Sequence, residues 1–208
     1  MAKKPRVARK ARRDPDDVDP LLHLDEEEVE LLRKAVASLG RNGLRDSAMV
    51  LLAWHHGMRA SEVCRLRWER VYLAKEEIFI SRAKGSKSGK HILFRDDMSV
   101  LRRLGPKSSG YVFLSEAKQD PGPVSECGFW RIVQRGGVAA GLGAKVHPHQ
   151  LRHACGFWMH KQGFDEREIQ EWLGHRNIQN TVRYTALDHG HLAAKWKRLT
   201  GGSNRDGR

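Results

Sequence analysis

The chain has 208 residues, 39% of them hydrophobic, which suffices for one packed domain with tails. Its formal charge of +13 is unevenly placed: residues 1–13 carry seven Lys/Arg and no acid, residues 14–30 carry nine acids and no Lys/Arg, and the remainder holds +15. A basic body of this kind favours a polyanion such as nucleic acid. Cys64, Cys127 and Cys155 form no CxxC pair and so exclude a disulfide or zinc-ribbon framework, and the longest apolar run, Ala48 to Trp54, is too short to cross a bilayer. The basic N-terminus runs into acids instead of a signal-peptide core, so the expectation is a cytoplasmic protein with no membrane association.

Residues 1–19 hold almost no periodic apolar positions and read as a disordered tail. From Asp25 the acids sit at a helix start, followed by an apolar stripe of Val29, Leu31, Leu32, Ala35 and Val36 that ends near Gly40. A second helix is predicted from about Leu44 to His56, with Gly57 as its stop. Between Val71 and Phe94 the period changes: Ile78, Ile80 and Arg82 lead into Lys84-Gly85-Ser86-Lys87-Ser88-Gly89-Lys90, and His91 to Phe94 return, which predicts a β-hairpin with a lysine-rich tip. A helix over Asp96–Leu104, a short strand over Tyr111–Leu114 and a helix over Ser125–Ala140 follow. The rest is expected to be helical to about Leu199, with breaks at Gly163, Gly174 and residues 185–190. No internal repeat, P-loop or GxGxxG fingerprint is present, so a nucleotide cofactor is unsupported.

The chemistry concentrates between His147 and Tyr184. His149 and Arg152 lie three apart and share one helical face, where an imidazole and a cation can converge on one anionic oxygen. Leu173-Gly174-His175 reads as a helix end with a glycine terminator, and a short further helix would then carry Tyr184. Arg59, in Gly57-Met58-Arg59-Ala60-Ser61-Glu62, stands at a helix entrance with Glu62 three residues on. Taken alone it reads first as an ordinary helix-start ion pair, yet an arginine held by a carboxylate can also turn its other donors toward a phosphate. His147, His149, His153, Cys155 and His160 crowd one segment, but HExxH and finger spacings are absent and no acidic or thiolate third ligand accompanies the His149/His153 pair. Two separated arginines, two histidines, a hairpin lysine and a tyrosine are what phosphodiester exchange needs: charge stabilisation, a proton donor and a nucleophile.

GMRASEV, the SRAKGSKSGKHIL hairpin, HPHQLRH, WLGHRN and TVRYT occur in this order, and together they resemble the catalytic domain of the tyrosine recombinases, the phage integrase family. The HPHQLRHACGF and IQEWLGHRNIQNTVRYTA stretches are most similar to the small fimbrial phase-variation recombinases. The resemblance covers roughly residues 22–195 and implies an α+β, mainly α fold whose small β-sheet or hairpin carries the lysine. It implies that Arg59 and Arg152 bind the non-bridging oxygens of the scissile phosphate and that Lys84 protonates the departing 5′ oxygen, with Lys87 as runner-up. His149 would assist proton transfer at the nucleophile, His175 would hydrogen-bond the phosphate, and Tyr184 would attack to give a 3′-phosphotyrosine. A tyrosine hydroxyl, with a pKa of about 10, needs nearby cations and a base to act at neutral pH, which agrees with that set.

The resemblance further implies a site-specific DNA recombinase that needs neither ATP nor a metal and proceeds through a Holliday junction. Its partner would be double-stranded DNA in the bacterial nucleoid. A homotetramer is expected on paired sites, a monomer or weak dimer off DNA, and an accessory DNA-bending or core-binding protein is a possible partner. The expected layout is a tail over 1–19, the catalytic domain over 20–200 and a flexible tail over 201–208, with no N-terminal core-binding domain before Arg59. Two other readings share the residues: a DNA-binding protein without independent catalysis, and a type IB topoisomerase-like nick-and-reseal enzyme. One position departs from the family pattern, since Arg70 stands where an aspartate is common.

Overall fold

A computed structural model describes residues 23–83, 86–116, 121–177 and 181. Helix α1 (Glu26–Ser38) starts where the acids predict, with the Asp25 carboxylate accepting from the Glu28 N–H at 2.8 Å and Glu28 accepting from the Asp25 N–H at 3.0 Å. Val29, Leu32 and Val36 face inward, whereas Leu31, expected in the stripe, is 50% exposed. Buried positions three and four apart define a single narrow face, and Leu31 falls beside it.

Helix α2 (Gly43–His55) is the centre of the molecule: every residue from Asp46 to Ala53 is buried. Helices α1, α4, α5 and α6 pack around it, so its apolar run from Ala48 to Trp54 is a helix buried on nearly all sides rather than an amphipathic one. Full burial of each Val, Leu or Met there contributes roughly 1.5–3 kcal/mol. His56 caps the helix and Gly57 turns the chain with φ 54°. A short helix α3 (Ala60–Cys64) follows.

The predicted hairpin is one part of a three-stranded antiparallel sheet, in the order β1 (Val71–Tyr72), β2 (Glu77–Ile80), β3 (Gly89–Ile92). The register pairs Val71 with Ile78, Ile78 with His91 and Ile80 with Gly89. Strand β1 lies outside the predicted hairpin; with two residues it is too short to show alternation. Helix α4 (Arg95–Arg103) then packs on α2.

The strand expected over Tyr111–Leu114 does not form. Its residues split their bonding between two partners: Val112 N–H donates to Leu66 at 2.9 Å on one side, and Val124 N–H donates to Phe113 at 2.9 Å on the other. Only isolated bridges, Arg67 with Tyr111 and Leu114 with Pro123, result. Helix α5 (Glu126–Ala139) packs tightly on α1, where a Cβ at Gly136 would overlap Val36. Helices α6 (Pro148–Lys161) and α7 (Glu166–Leu173) complete the described chain. Ile169 and Leu173 of α7 meet Cys155 and Met159 of α6 in a small second core, joined to α2 through Trp54.

Candidate active site

Arg59 is the N-cap of α3, directly after the turn that ends α2. Glu62, one helical turn on, accepts from the Arg59 backbone N–H at 2.9 Å and from its guanidinium Nη1 at 3.2 Å. Nη1 also donates to Ser86 Oγ of the hairpin at 2.9 Å. Burial alone would raise the Glu62 pKa, but Arg82, Arg152 and the N–H groups of Ala83 and Arg59 together hold it below the usual carboxylate range. The carboxylate is thus anionic, and it fixes the arginine from behind.

Helix α6 begins at His147 as N-cap with Pro148 in its first position, where the missing N–H costs nothing. The Gln150 side chain accepts from the His147 N–H at 2.9 Å, which closes the first turn. His149 is half-buried in that turn, its ring 6.2 Å from the His147 ring, and His147 in turn stacks parallel to Trp130. One turn later Arg152 is 1% exposed, the largest side chain in the deep core. It donates through Nη1 to the Gly57 carbonyl and through Nη2 to the Leu173 carbonyl at 2.8 Å.

Those two acceptors belong to the two glycine turns. Gly57 ends α2, and a Cβ there would overlap Leu173. Gly174 ends α7 with φ 71°, and a Cβ there would sit 2.7 Å from the Lys87 carbonyl. The Gly174 carbonyl accepts from the Lys87 N–H at 3.2 Å, so the hairpin rests on this turn. His175 follows and is buried; its N–H donates to the Gln170 carbonyl at 2.9 Å, and its Nδ1 is 3.0 Å from Thr181 Oγ1.

Between these groups lies Arg82, its side chain 1% exposed. Nη1 donates to the Gly57 carbonyl and to Glu62 Oε2, both at 2.9 Å. Nη2 donates to the carbonyls of His56 at 2.9 Å and Trp172 at 2.5 Å. The next residue is held too, because Ala83 N–H donates to Glu62 Oε1 at 3.0 Å.

The phage integrase family model matches residues 23–191 of this chain. The type 1 fimbriae regulatory protein FimB of Escherichia coli K12 is 39% identical over 86% of the chain and 90% of its own length. This chain belongs to the phage integrase family of tyrosine recombinases. FimE of the same strain is 36% identical over 85% of the recombinase and 91% of its own length. The tyrosine recombinase XerA of Pyrococcus furiosus is 34% identical over 81% of this chain, which spans 58% of that relative's length. A crystal structure of XerA recombinase superposes with a TM-score of 0.70 at 28% identity, covering 86% of this chain and 64% of that one. XerH bound to palindromic difH substrate shares the fold, with a TM-score of 0.67 at 24% identity over 84% of this chain and 52% of that one.

Of the six residues singled out in this recombinase, Arg59 and Arg152 are joined through Arg82, which shares Glu62 with the first and the Gly57 carbonyl with the second; Arg152 also reaches the Leu173 carbonyl, two residues before His175, and His149 lies on the same helix as Arg152. Lys84 and Tyr184 lie outside the described residues. Lys87, the alternative proton donor, is exposed. The unusual Arg70 places its guanidinium 4.7 Å from the centre of the Phe79 ring, a cation–π contact that an aspartate could not make. Two residues escaped the motif reading. Arg82 stands two residues beyond the end of β2, yet it follows Ile78 and Ile80 at a spacing of two, and a charge that continues a buried spacing is itself a signal. Asp97, completely buried, carries no motif; it is 2.7 Å from His55 Nδ1 and 3.2 Å from His56 Nε2.

Proposed function

We propose that this chain is a site-specific DNA recombinase whose nucleophile is Tyr184. The Tyr184 hydroxyl attacks the scissile phosphorus, the bond to the 5′ oxygen breaks, and the phosphate stays linked to the enzyme as a 3′-phosphotyrosine. Lys84 supplies the proton that the departing 5′ oxygen takes up, and His149 assists removal of the tyrosine proton. Arg59, Arg152 and His175 neutralise and hydrogen-bond the non-bridging oxygens. Attack by the 5′ hydroxyl of a partner strand reverses the step and restores a phosphodiester. The covalent bond conserves the energy of the one it replaced, so no ATP is needed, and two rounds of exchange pass through a Holliday junction.

The observation that carries this reading is the pairing of a nearly inaccessible guanidinium, Arg152, with a second arginine, Arg59, on one buried carboxylate-and-carbonyl frame. Burying cations is costly unless each is paired and hydrogen-bonded. A protein that only gripped the DNA backbone could use solvent-exposed lysines and avoid that cost. The partner is double-stranded DNA, which the basic body favours; the XerH structure that shares this fold was bound to palindromic difH substrate. Residues 20–200 form the catalytic domain of this reading, and four protomers assemble on two duplex sites.

Trapping on a nicked duplex built from repeats flanking the gene tests the proposal, because the short fragment between the cleaved bond and the nick, which carries the free 5′ hydroxyl, diffuses away and the strand cannot be resealed. A covalent adduct marks an enzyme, and its absence leaves a DNA-binding protein. Supercoiled plasmid with two sites then separates exchange, seen as inversion or deletion, from relaxation without exchange of partners.

A further inference from the structure

We infer that Arg82 is a positioning residue: one buried guanidinium that sets the relative placement of Arg59, Arg152 and the His175 turn. The inference rests on the recombinase reading of those three groups, which Arg82 itself does not touch a substrate to serve.

Ile78 and Ile80 put their side chains into the core, and Arg82, two residues beyond the end of β2, keeps the same spacing and is itself buried at its side chain. An aliphatic residue there would satisfy the pattern without desolvating a charge. The guanidinium is retained in a position that burial penalises enough to lower its pKa from the ordinary arginine value, the neighbouring Glu62 acting in the opposite direction. Its acceptors show what that arrangement achieves. The carbonyls of His56 and Gly57 belong to the turn that ends α2, Glu62 to α3 and the carbonyl of Trp172 to the end of α7. Two regions far apart in sequence, residues 56–62 and the end of α7, are therefore fixed to one planar group.

Two of the four acceptors are shared with a group proposed to meet the phosphate, and a third adjoins one. The Gly57 carbonyl accepts from Arg82 and also from Arg152 Nη1. Glu62 accepts from Arg82 and also from Arg59 Nη1. Trp172 precedes the Leu173 carbonyl that takes Arg152 Nη2, and His175 lies three residues beyond it. Gly174 leaves the space that Arg82 fills, since a Cβ there would be 3.2 Å from both Arg82 Cγ and Nε. Arg82 thus stands behind both arginines and the histidine turn at once. A lysine at this position offers three donors on one nitrogen and cannot reach four acceptors spread over two edges of a plane.

The test uses the full chain with Arg82→Lys and Arg82→Ala. In protein labelled with 15N-arginine, the Nε–H signals of Arg59 and Arg152 should be sharp and slowly exchanging in the wild type; they should shift and broaden in both variants while the melting transition stays cooperative. On the nicked flanking-repeat duplex, adduct formation should slow on the order of a hundredfold, the scale of losing one preorganised donor, with little change in duplex affinity. Millimolar guanidinium should restore part of the rate to Arg82→Ala and none to Arg82→Lys, where the cavity is filled. Arg59 and Arg152 signals unmoved in both variants would overturn the inference, as would a loss of rate no greater than the loss of folded protein. If the wild type itself forms no adduct, the recombinase reading fails, and the arginine signals still decide whether Arg82 positions the two guanidinium groups.

Discussion

Arg152 holds its positive charge where water scarcely reaches, donating to the carbonyls of Gly57 and Leu173 and acting on the nearby Glu62 carboxylate. Replacing Arg152 or Arg59 with alanine should slow adduct formation on the order of a hundredfold or more. Arg152→Lys should recover little of it, because lysine lacks the planar fork; near-normal cleavage by that variant would show that a point charge suffices. The proton donor is open to a chemical test: a 5′-phosphorothiolate duplex has a good leaving group and should restore cleavage to Lys84→Ala. Restoration of Lys87→Ala instead would move the role along the hairpin. At this scale the site was legible where residue type and spacing coincide, as at His149/Arg152 and Leu173-Gly174-His175. Arg82 and Glu62 act through contacts 20 residues apart in sequence, and local spacing carries no trace of such a pair.

Among the elements, the two glycine turns bear the most. Gly174→Ala places a side chain in left-handed backbone, at a cost of about 1–2 kcal/mol, and pushes a Cβ against the Lys87 carbonyl. Thermal melting should register the first effect and adduct formation the second, so activity should fall by more than the folded fraction. Loss in proportion to folding alone would remove the turn from the site. The first helix was readable because its acids and apolar stripe are local, beginning at Asp25; the matching cap of α7, Asp165 with Glu168, is as local and went unread. Tyr111–Leu114 was misread for the opposite reason. Whether an extended segment becomes a strand depends on which neighbour it pairs with, and here the pairing is divided between residues 66–68 and 122–124.

For the molecule as a whole, acid should be destabilising well above the carboxylate range. Burial, with the nearby charges of His56 and Arg82, pushes the His91 imidazole down to about 2, and burial also lowers His56 despite Asp97 beside it. The folded state therefore excludes protons that the unfolded chain binds near pH 6.5, so stability is full above that pH and falls as pH drops below it. Each unit of pH costs about 1.4 kcal/mol for one such histidine. Asp97 lies at about 2, because hydrogen bonds from His55 and His56 outweigh the upward effect of burial, and its contribution is lost only between about pH 4 and pH 2. Melting temperature followed from pH 7.5 to pH 5 should decline, and His91→Leu should flatten the decline; an unchanged slope would exclude His91 as its source. Net charge was legible from composition and bears on DNA, since affinity should fall steeply as salt rises. Assembly was not: the apolar positions Leu192, Ala193, Trp196 and Leu199 recur at helical spacing and lie outside the described residues. If they link protomers, truncation before Gly190 should spare single-site binding and impair synapsis, and a truncated chain that still forms tetramers on paired sites would contradict that role.

The central claim is that Tyr184 becomes esterified to the 3′ end of the cleaved strand. It is tested most directly by isolating the adduct from a nicked flanking-repeat duplex, digesting both protein and DNA, and locating the nucleotide-bearing peptide by mass spectrometry. The expected result is a single modified peptide containing Tyr184, absent from Tyr184→Phe, with duplex binding by that variant nearly unchanged. A modified peptide containing Tyr72 or Tyr111, or an adduct that persists in Tyr184→Phe, would contradict the account.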